Sequence, residues 1–551
     1  RRLKNSIRWA SELLVGLAPD TGDASIHESP VAATAVSMAS IASPGSPSQP
    51  AATPALDSPG TQSDALLLAQ SYFDGGEFRR CAHVLADAPP ADRTSFFLHC
   101  YALYLDGEQR KEAELRETND AAVPLTAAAN PELKGLLTKL SPMHADSSLD
   151  AFGLYILGVV LKESQKHADA REVLCQSLRA YPMNWSAWLD LAALCQDKDT
   201  LLQLVLPDHW ARDFFMAHTL LELQVNEEAH GVYTALASVF PTSPYIKSQL
   251  AQALYNQRQF DEAQAAFAEL YKSDPYRLEG LDTYSNILYV KEDKSMLSHI
   301  AHKAMGLDKY RPETCCVVGN YYSLRAEHEK AVLYFRRALR LNRRYLSAWT
   351  LMGHEYVEMK NAGAAIEAYR RAVDINPLDY RAWYGLGQTY EILRMFFYAL
   401  HYYRKATALR PYDSRMWCAM AGCYEELDRM QDAIKSYERA NSHTDREGIA
   451  TLKLAKLYRN RGDAAKAAAY YKEHLDRQDG KKTSLECAQA LLFLANFAKA
   501  HRRFEEAQQL ASEVLGLPWP QPMTEARALL RELRSMSGAH SAGTMFDMDM
   551  D

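Results

Sequence analysis

The sequence has no CxxC pair. Its nine cysteines are scattered over 551 residues, with Cys315 and Cys316 adjacent and most of the others on apolar faces of predicted helices. That excludes a disulfide framework and predicts buried free thiols in a reducing compartment. The Asn184-Trp185-Ser186 glycosylation triplet is then incidental. Blocks of basic charge are missing too. Lys and Arg number 62 against 69 Asp and Glu, and the net charge is −7 with the two signs interspersed, so no nucleic-acid partner is expected. No uninterrupted apolar run approaches the roughly 18 residues of a membrane span, and no membrane association is expected. The opening RRLKNSIRWASELLVGL begins basic, but Glu12 breaks its apolar part. Trp9, Leu13, Leu14 and Leu17 make a helical stripe there instead of a signal core.

Motifs that carry chemistry are absent as well. No P-loop and no Ser-His-Asp set is identifiable. His354-Glu355 starts like a zinc-protease motif, yet the residue four after His354 is Glu358. Gly385-Leu386-Gly387 resembles part of a dinucleotide loop, but it lies inside a predicted helix where small residues serve packing. The expectation is a non-enzymatic protein with no cofactor, no metal and no small-molecule substrate.

What the sequence has instead is one pattern, repeated. From SAWTLMGHEYVEMKNAGAAIEAYRRAVDINPLDYRAWYGLGQTYEIL onward, Trp349, Gly353, Tyr356, Ala365, Tyr369, Ala372 and Pro377 return as Trp383, Gly387, Tyr390, Ala399, Tyr403, Ala406 and Pro411. Each returns 34 residues later. With the Trp taken as position 4, the interval extends back through Cys315, Leu281, Lys247 and Asp213, and forward through Trp417 and Thr451. These eight units contain no inserted residue. Looser units surround Ala65, Phe97, Leu154 and Trp188 and follow Gly480, about 13 in all.

Packing explains the spacing. Small residues at positions 8, 20 and 27 let paired helices A and B approach closely. Aromatic residues at 4, 11 and 24 fill the holes between them, and proline at 32 stops helix B. This is the tetratricopeptide-repeat signature, and it predicts an all-α superhelical solenoid of helix-turn-helix units with a groove lined by A helices. The expected organisation is an N-terminal helix (1–18), a disordered Pro/Ser/Ala-rich linker (19–62), less regular repeats (63–212), a regular array with the groove (213–480), C-terminal helices (481–534) and a disordered tail (535–551). In the linker Ser29, Ser43, Ser46 and Ser58 each precede proline, the minimal target of proline-directed kinases. Composition alone also produces such pairs, and both readings stand.

Positions 2, 5, 9 and 12 of helix A share the groove face. Position 9 reads Gln252, Asn286, Asn320, His354, Gln388, a ladder suited to clamping an extended peptide backbone. Position 12 supplies Glu391 and Glu425, and position 2 supplies Glu279, Glu313, Arg381 and Arg415. Carboxylates here suit an Arg-bearing peptide. The same residues also fit a plain solvated polar face. A chaperone-tail clamp needs Lys or Arg at position 5, where this run has neither.

The stretches DKYRPETCCVVGNYYSLRAEHEKAVLYFRRALRLNRRYLSAWTLMGHEYVEMKN and DYRAWYGLGQTYEILRMFFYALHYYRKATALRPYDSRM go beyond the generic signature. So do SNILYVKEDKSMLSHIAHKA, YALYLDGEQRKEAE and the leading WASEL. Together they resemble the subunit 8 family of the anaphase-promoting complex (cyclosome), tetratricopeptide scaffolds of that ubiquitin ligase. The resemblance implies a homodimer through the N-terminal repeats, stacking with other tetratricopeptide subunits, and a place in nucleus and cytoplasm. It also implies that the groove receives a basic motif from the N-terminal segment of a β-propeller coactivator. On the matching positions it points to Asn320 and Glu355, with Asn286, Gln388 and Glu391 as neighbours. Scaffolding in another multiprotein assembly is the alternative.

Overall fold

A computed structural model describes residues 64–86, 92–117, 129–443, 448–477 and 484–546. The expected helix at 1–18, the linker at 19–62 and its Ser29, Ser43, Ser46 and Ser58 lie outside the described residues. Among the described residues every regular element is an α-helix. The chain forms two compact units, Arg1–Lys309 and Tyr310–Asp551, so the division falls inside the run expected to be one regular array over 213–480.

In Tyr310–Asp551 helix pairs follow one another as Pro312–Leu324 with His328–Leu341, Leu346–Glu358 with Ala362–Ile375, Tyr380–Ile392 with Phe396–Leu409, Ser414–Glu426 with Met430–Ser442, and Ile449–Arg461 with Ala464–Arg477. Leu485–Ala500, Phe504–Leu515 and Pro520–Phe546 complete the unit. Local chemistry sets the starts. Pro312 occupies a first helical position, and Asp379 and Asp413 accept from the Arg381 and Arg415 backbone N–H groups. The A helices end alike, with Ala326, Lys360, Arg394, Asp428 and Gly462 all left-handed at φ 58–86°. The next N–H returns to the carbonyl of Tyr322, Tyr356, Tyr390, Tyr424 or Tyr458 at 2.8–3.0 Å.

The pairs nest as the spacing predicts. A Cβ on Gly353 would stand 2.6 Å from the Tyr369 ring, and one on Gly387 would stand 2.5 Å from Tyr403. Gly385 meets the Tyr369 ring from the next helix A, so Gly385-Leu386-Gly387 is a packing motif. Ala365, Ala372, Ala399 and Ala406 are fully buried between the helices. Polar bonds repeat at the same interval. The Trp349, Trp383 and Trp417 indole N–H groups donate to the carbonyls of Arg343, Pro377 and Pro411 at 2.7–3.0 Å. Arg336, Arg370 and Arg404 donate to the hydroxyls of Tyr356, Tyr390 and Tyr424 in the following repeat. Each repeat is thereby tied to the next through both its core and its edge.

Arg1–Lys309 is less regular. Ala151–Glu163 with His167–Ala180, Ala211–Glu222 with Asn226–Val239, and Pro244–Asn256 with Phe260–Ser273 are ordinary pairs. After Trp185–Ala192 the partner shrinks to Lys198–Leu202. The segment around Phe97 corrects the expectation of a turning unit, because Arg93–Glu117 is one helix of 25 residues. Gly107 does not break it; its bare Cα makes room for Asn130, whose amide donates to the Tyr104 carbonyl and the Glu108 carboxylate, both at 3.1 Å. The last pair, Leu281–Val290 with Lys294–Leu307, has lost the first turn of helix A. Gly280 is left-handed (φ 76°) and caps it, so Glu279, expected at helical position 2, lies in a loop.

One further difference completes the comparison with expectation. Pro520–Phe546 continues through Ser535, where the disordered tail was expected to begin, and no proline after Pro522 interrupts it. All nine cysteines are free, eight of them buried. Burial pushes the Cys81, Cys100 and Cys195 thiols up to about 11 and Cys423 to about 12. Among the described residues no helix is long and apolar enough to cross a membrane, and no cluster of three metal-ligating side chains occurs.

Candidate peptide-binding groove

From Pro312–Leu324 to Ile449–Arg461 each helix A touches the next helix A, whereas successive B helices barely meet. The row therefore curves with its A helices on the inner side, and positions 2, 5, 9 and 12 line that face. Position 2 lies at the start of each A helix and position 12 near its end. Ten residues at 1.5 Å each separate the two rims by about 15 Å.

The rim at the helix ends is acidic. Glu391 accepts from the Tyr403 hydroxyl at 2.5 Å, and Glu425 accepts from the Tyr437 hydroxyl at the same distance. Burial, with these carboxylates beside them, raises both phenols well above their ordinary value. The carboxylates are half-buried and held in place by helix B, with Lys453 3.7 Å from Glu425. The opposite rim begins with Glu313 and turns basic at Arg381 and Arg415. Arg415 makes a two-point contact with Asp413, at 3.2 and 2.9 Å. Arg410 and Arg381 lie over the Tyr380 ring, 4.2 and 5.6 Å from its centre. Burial pushes the Tyr380 phenol up, but Arg381, Arg410 and Arg415 together carry it below its ordinary value.

The expected site residues fall in different settings. Gln388 is exposed on the groove face, about one turn before the acidic rim. His354, beside it in the ladder, is also accessible, and its Nδ1 meets the Tyr369 hydroxyl at 2.7 Å. Desolvation by the surrounding groove wall and the charge of Arg381 hold its imidazole below the ordinary value. Asn320 is buried, only 3 % exposed. Glu355, 4 % exposed, already has both oxygens engaged. Ser323 donates to Oε1 at 2.6 Å, and His328 Nδ1 lies 2.8 Å from Oε2. That carboxylate clamps two successive repeats, so it reaches the groove through the side chains it positions. Asn286 is half-buried on Leu281–Val290 in the other unit. There Gln252, its neighbour in the ladder, spends its amide on Thr283 and Asn256.

Reasoning from helix A alone missed the tyrosines at position 24. Their rings are core, so spacing assigns them to packing, yet the Tyr369, Tyr403 and Tyr437 hydroxyls reach the groove residues. The signal was present, since tyrosine recurs at 369, 403 and 437 where phenylalanine would fill the same hole. The groove thus offers oriented carboxylates on one side, arginines on the other and amides between them. This arrangement can hold an extended segment by its backbone and read basic side chains on one edge.

Comparison with known proteins gives a consistent answer. The family model described as anaphase promoting complex subunit 8 / Cdc23 matches residues 1–251. Tetratricopeptide-repeat models match 312–345, 353–392, 414–442 and 452–522. Anaphase-promoting complex subunit 8 of Arabidopsis thaliana is 49% identical over 552 residues, covering 97% of this chain and 94% of that one. The Dictyostelium discoideum subunit 8 is 44% identical, covering 98% and 96%. Among solved structures, the crystal structure of the APC/C hetero-tetramer Cut9-Hcn1 aligns with a TM-score of 0.55 at 18% identity. It covers 85% of this chain and 89% of that one, a likeness of fold.

Proposed function

The chain belongs to the anaphase-promoting complex subunit 8/Cdc23 family, and from that premise we propose that it binds a basic coactivator motif in the groove of Tyr310–Asp551. It is a tetratricopeptide scaffold, and on this reading its work is to hold other components in position. It forms a homodimer through repeats in 63–212, stacks with other tetratricopeptide subunits, and supports ubiquitination of cell-cycle proteins in nucleus and cytoplasm.

The observation that carries the groove reading is the acidic rim. Glu391 and Glu425 recur at one repeat interval and are oriented by buried hydroxyls, a pre-organised pair for guanidinium groups. Gln388 and the Asn320–Glu355 region supply backbone contacts and rigidity. The experiment is fluorescence anisotropy with the N-terminal segment of a β-propeller coactivator. Gln388→Ala with Glu391→Gln is expected to weaken binding about tenfold or more, the scale of one or two lost charge-assisted bonds. Asn320→Ala with Glu355→Lys is expected to weaken it further, but it also strains the array, so the Gln388/Glu391 pair decides. Unchanged affinity in the Gln388/Glu391 variant removes this assignment. For the dimer, light scattering on the purified chain is expected to give two copies, and a monomer at micromolar concentration contradicts it.

A further inference from the structure

The repeat Leu278–Leu307 contains a cavity of about 190 Å³ between its helix B and the helix B before it. Leu281, Ile300, Lys303 and Pro275 contribute to its lining. In the 34-residue frame these are positions 4, 23, 26 and, from the preceding unit, 32. In the repeats of Trp349, Trp383 and Trp417 the same positions enclose the indole. The Trp383 ring stacks on Tyr402 of position 23 at 6.1 Å, Arg439 of position 26 sits 5.0 Å from the Trp417 ring, and the position-32 carbonyl takes the indole N–H. With leucine at position 4, and the first turn of helix A unwound at Gly280, the indole slot is open.

The slot is also charged in one sense. Lys272, Arg277, His299 and Lys303 line it, and no carboxylate does among the described residues. Lys272, His299 and Lys303 are exposed at its mouth. Arg277 is different, because its side chain is only 9 % exposed and its nearest acid, Glu279, stands 3.6 Å away. Its Nε is buried without a hydrogen-bond partner, a costly state for a guanidinium N–H. The loop holding it is pinned by the Tyr271 hydroxyl, which donates to the Glu279 carbonyl at 3.0 Å. Around the opening the apolar side chains of Met296, Leu307 and Tyr276 are exposed.

We propose that this slot is a docking site for an acidic, extended segment of a partner protein. The segment inserts one aromatic side chain where the repeats of Trp349, Trp383 and Trp417 carry their own indole. The volume is sufficient, since apolar cavities of about 150 Å³ accept a benzene ring. A carboxylate beside that aromatic residue meets Arg277 and the lysines, so the apolar and the charged halves of the site are used together. The site lies on the B-helix side and prefers the charge opposite to that of the proposed coactivator motif, so either assignment can fail without the other.

The test is selection of a random 12-residue peptide display library on the full chain, followed by anisotropy with the peptides recovered. Enrichment of an aromatic residue flanked by Asp or Glu is expected. Leu281→Trp, which fills the slot from within, is expected to weaken those peptides about thirty-fold, the loss typical of a blocked hot-spot pocket. Lys272→Glu with Lys303→Glu, both at exposed positions, is expected to weaken them comparably, and the melting temperature reports whether each variant stays folded. Peptides that are neutral or basic, or that bind the Leu281→Trp chain equally well, overturn the proposal. Recovery of no peptide that distinguishes wild type from Leu281→Trp overturns it too. Binding of phosphatidylserine vesicles that disappears in the charge-reversed variant assigns the cations to a lipid surface and likewise overturns it.

Discussion

In the repeat that begins at Leu346, an indole fills the space beside helix B and ties itself to the Arg343 carbonyl. In the repeat Leu278–Leu307 a leucine takes the indole's place and the space is open. Both have a B helix of 14 residues after a left-handed turn residue, Lys360 in one and Glu292 in the other. The backbone frame is nearly shared, so the filling decides what a repeat does. A self-filled repeat spends its apolar surface on stability, and an unfilled one keeps surface available for a partner.

The comparison breaks first at the filled repeats. Tyr369 is gripped by Gly353 and Gly385 and fully buried. Tyr369→Ala should cost about 3–5 kcal/mol of local stability, because glycine faces cannot close the void. Hydrogen exchange across Leu346–Ile375 measures it, and a cost below about 1 kcal/mol means that the ring is not central to packing. Trp349→Leu copies the open repeat into the filled one. It removes a large ring and one hydrogen bond, for about 2–3 kcal/mol, and should create a cavity detectable by crystallography under xenon pressure. An unchanged melting curve, with no xenon site, would undo the comparison.

Smaller effects sharpen it. Asn130→Ala should cost about 1–2 kcal/mol by leaving the Tyr104 carbonyl and the bare face of Gly107 without their partner, and should loosen Arg93–Glu117 in exchange measurements. If exchange there stays the same, the long helix does not depend on that amide. Lys360→Gly should do the reverse. A left-handed φ of 58° strains a residue with a Cβ, and relief of that strain offsets the extra chain entropy of glycine, for a gain of about 0.5 kcal/mol. A lower melting temperature would show that Lys360 contributes something its backbone does not.

Much of this was legible in the residues. The 34-residue interval announces nested helix pairs because Gly353, Ala365 and Ala372 must be small wherever Tyr369 is large. Glu391 and Glu425 follow from position 12 once helix A is placed, whereas position 2 reads as a mixture of Glu279, Glu313, Arg381 and Arg415. Other features were hidden for physical reasons. Lys360, Arg394 and Asp428 hold left-handed turns without glycine, since the returning N–H to the tyrosine carbonyl compensates the strain. Gly107 looks like a turn signal and is in fact a notch for Asn130, some twenty residues away in sequence. Gly280 falls at position 3 of the expected helix A and delays its start, which moves Glu279 off the helix. Glu355 could be placed on helix A but not seen to be occupied, because Ser323 and His328 come from the preceding repeat.

Hydrogen exchange of the chain with and without the coactivator segment tests the central claim most directly. The account predicts new protection in Tyr380–Ile392 and Ser414–Glu426, the helices that carry both rims, and in Leu346–Glu358, which carries His354, with the paired B helices unchanged on their outer faces. Protection confined to the B helices, or none at saturating peptide, contradicts it.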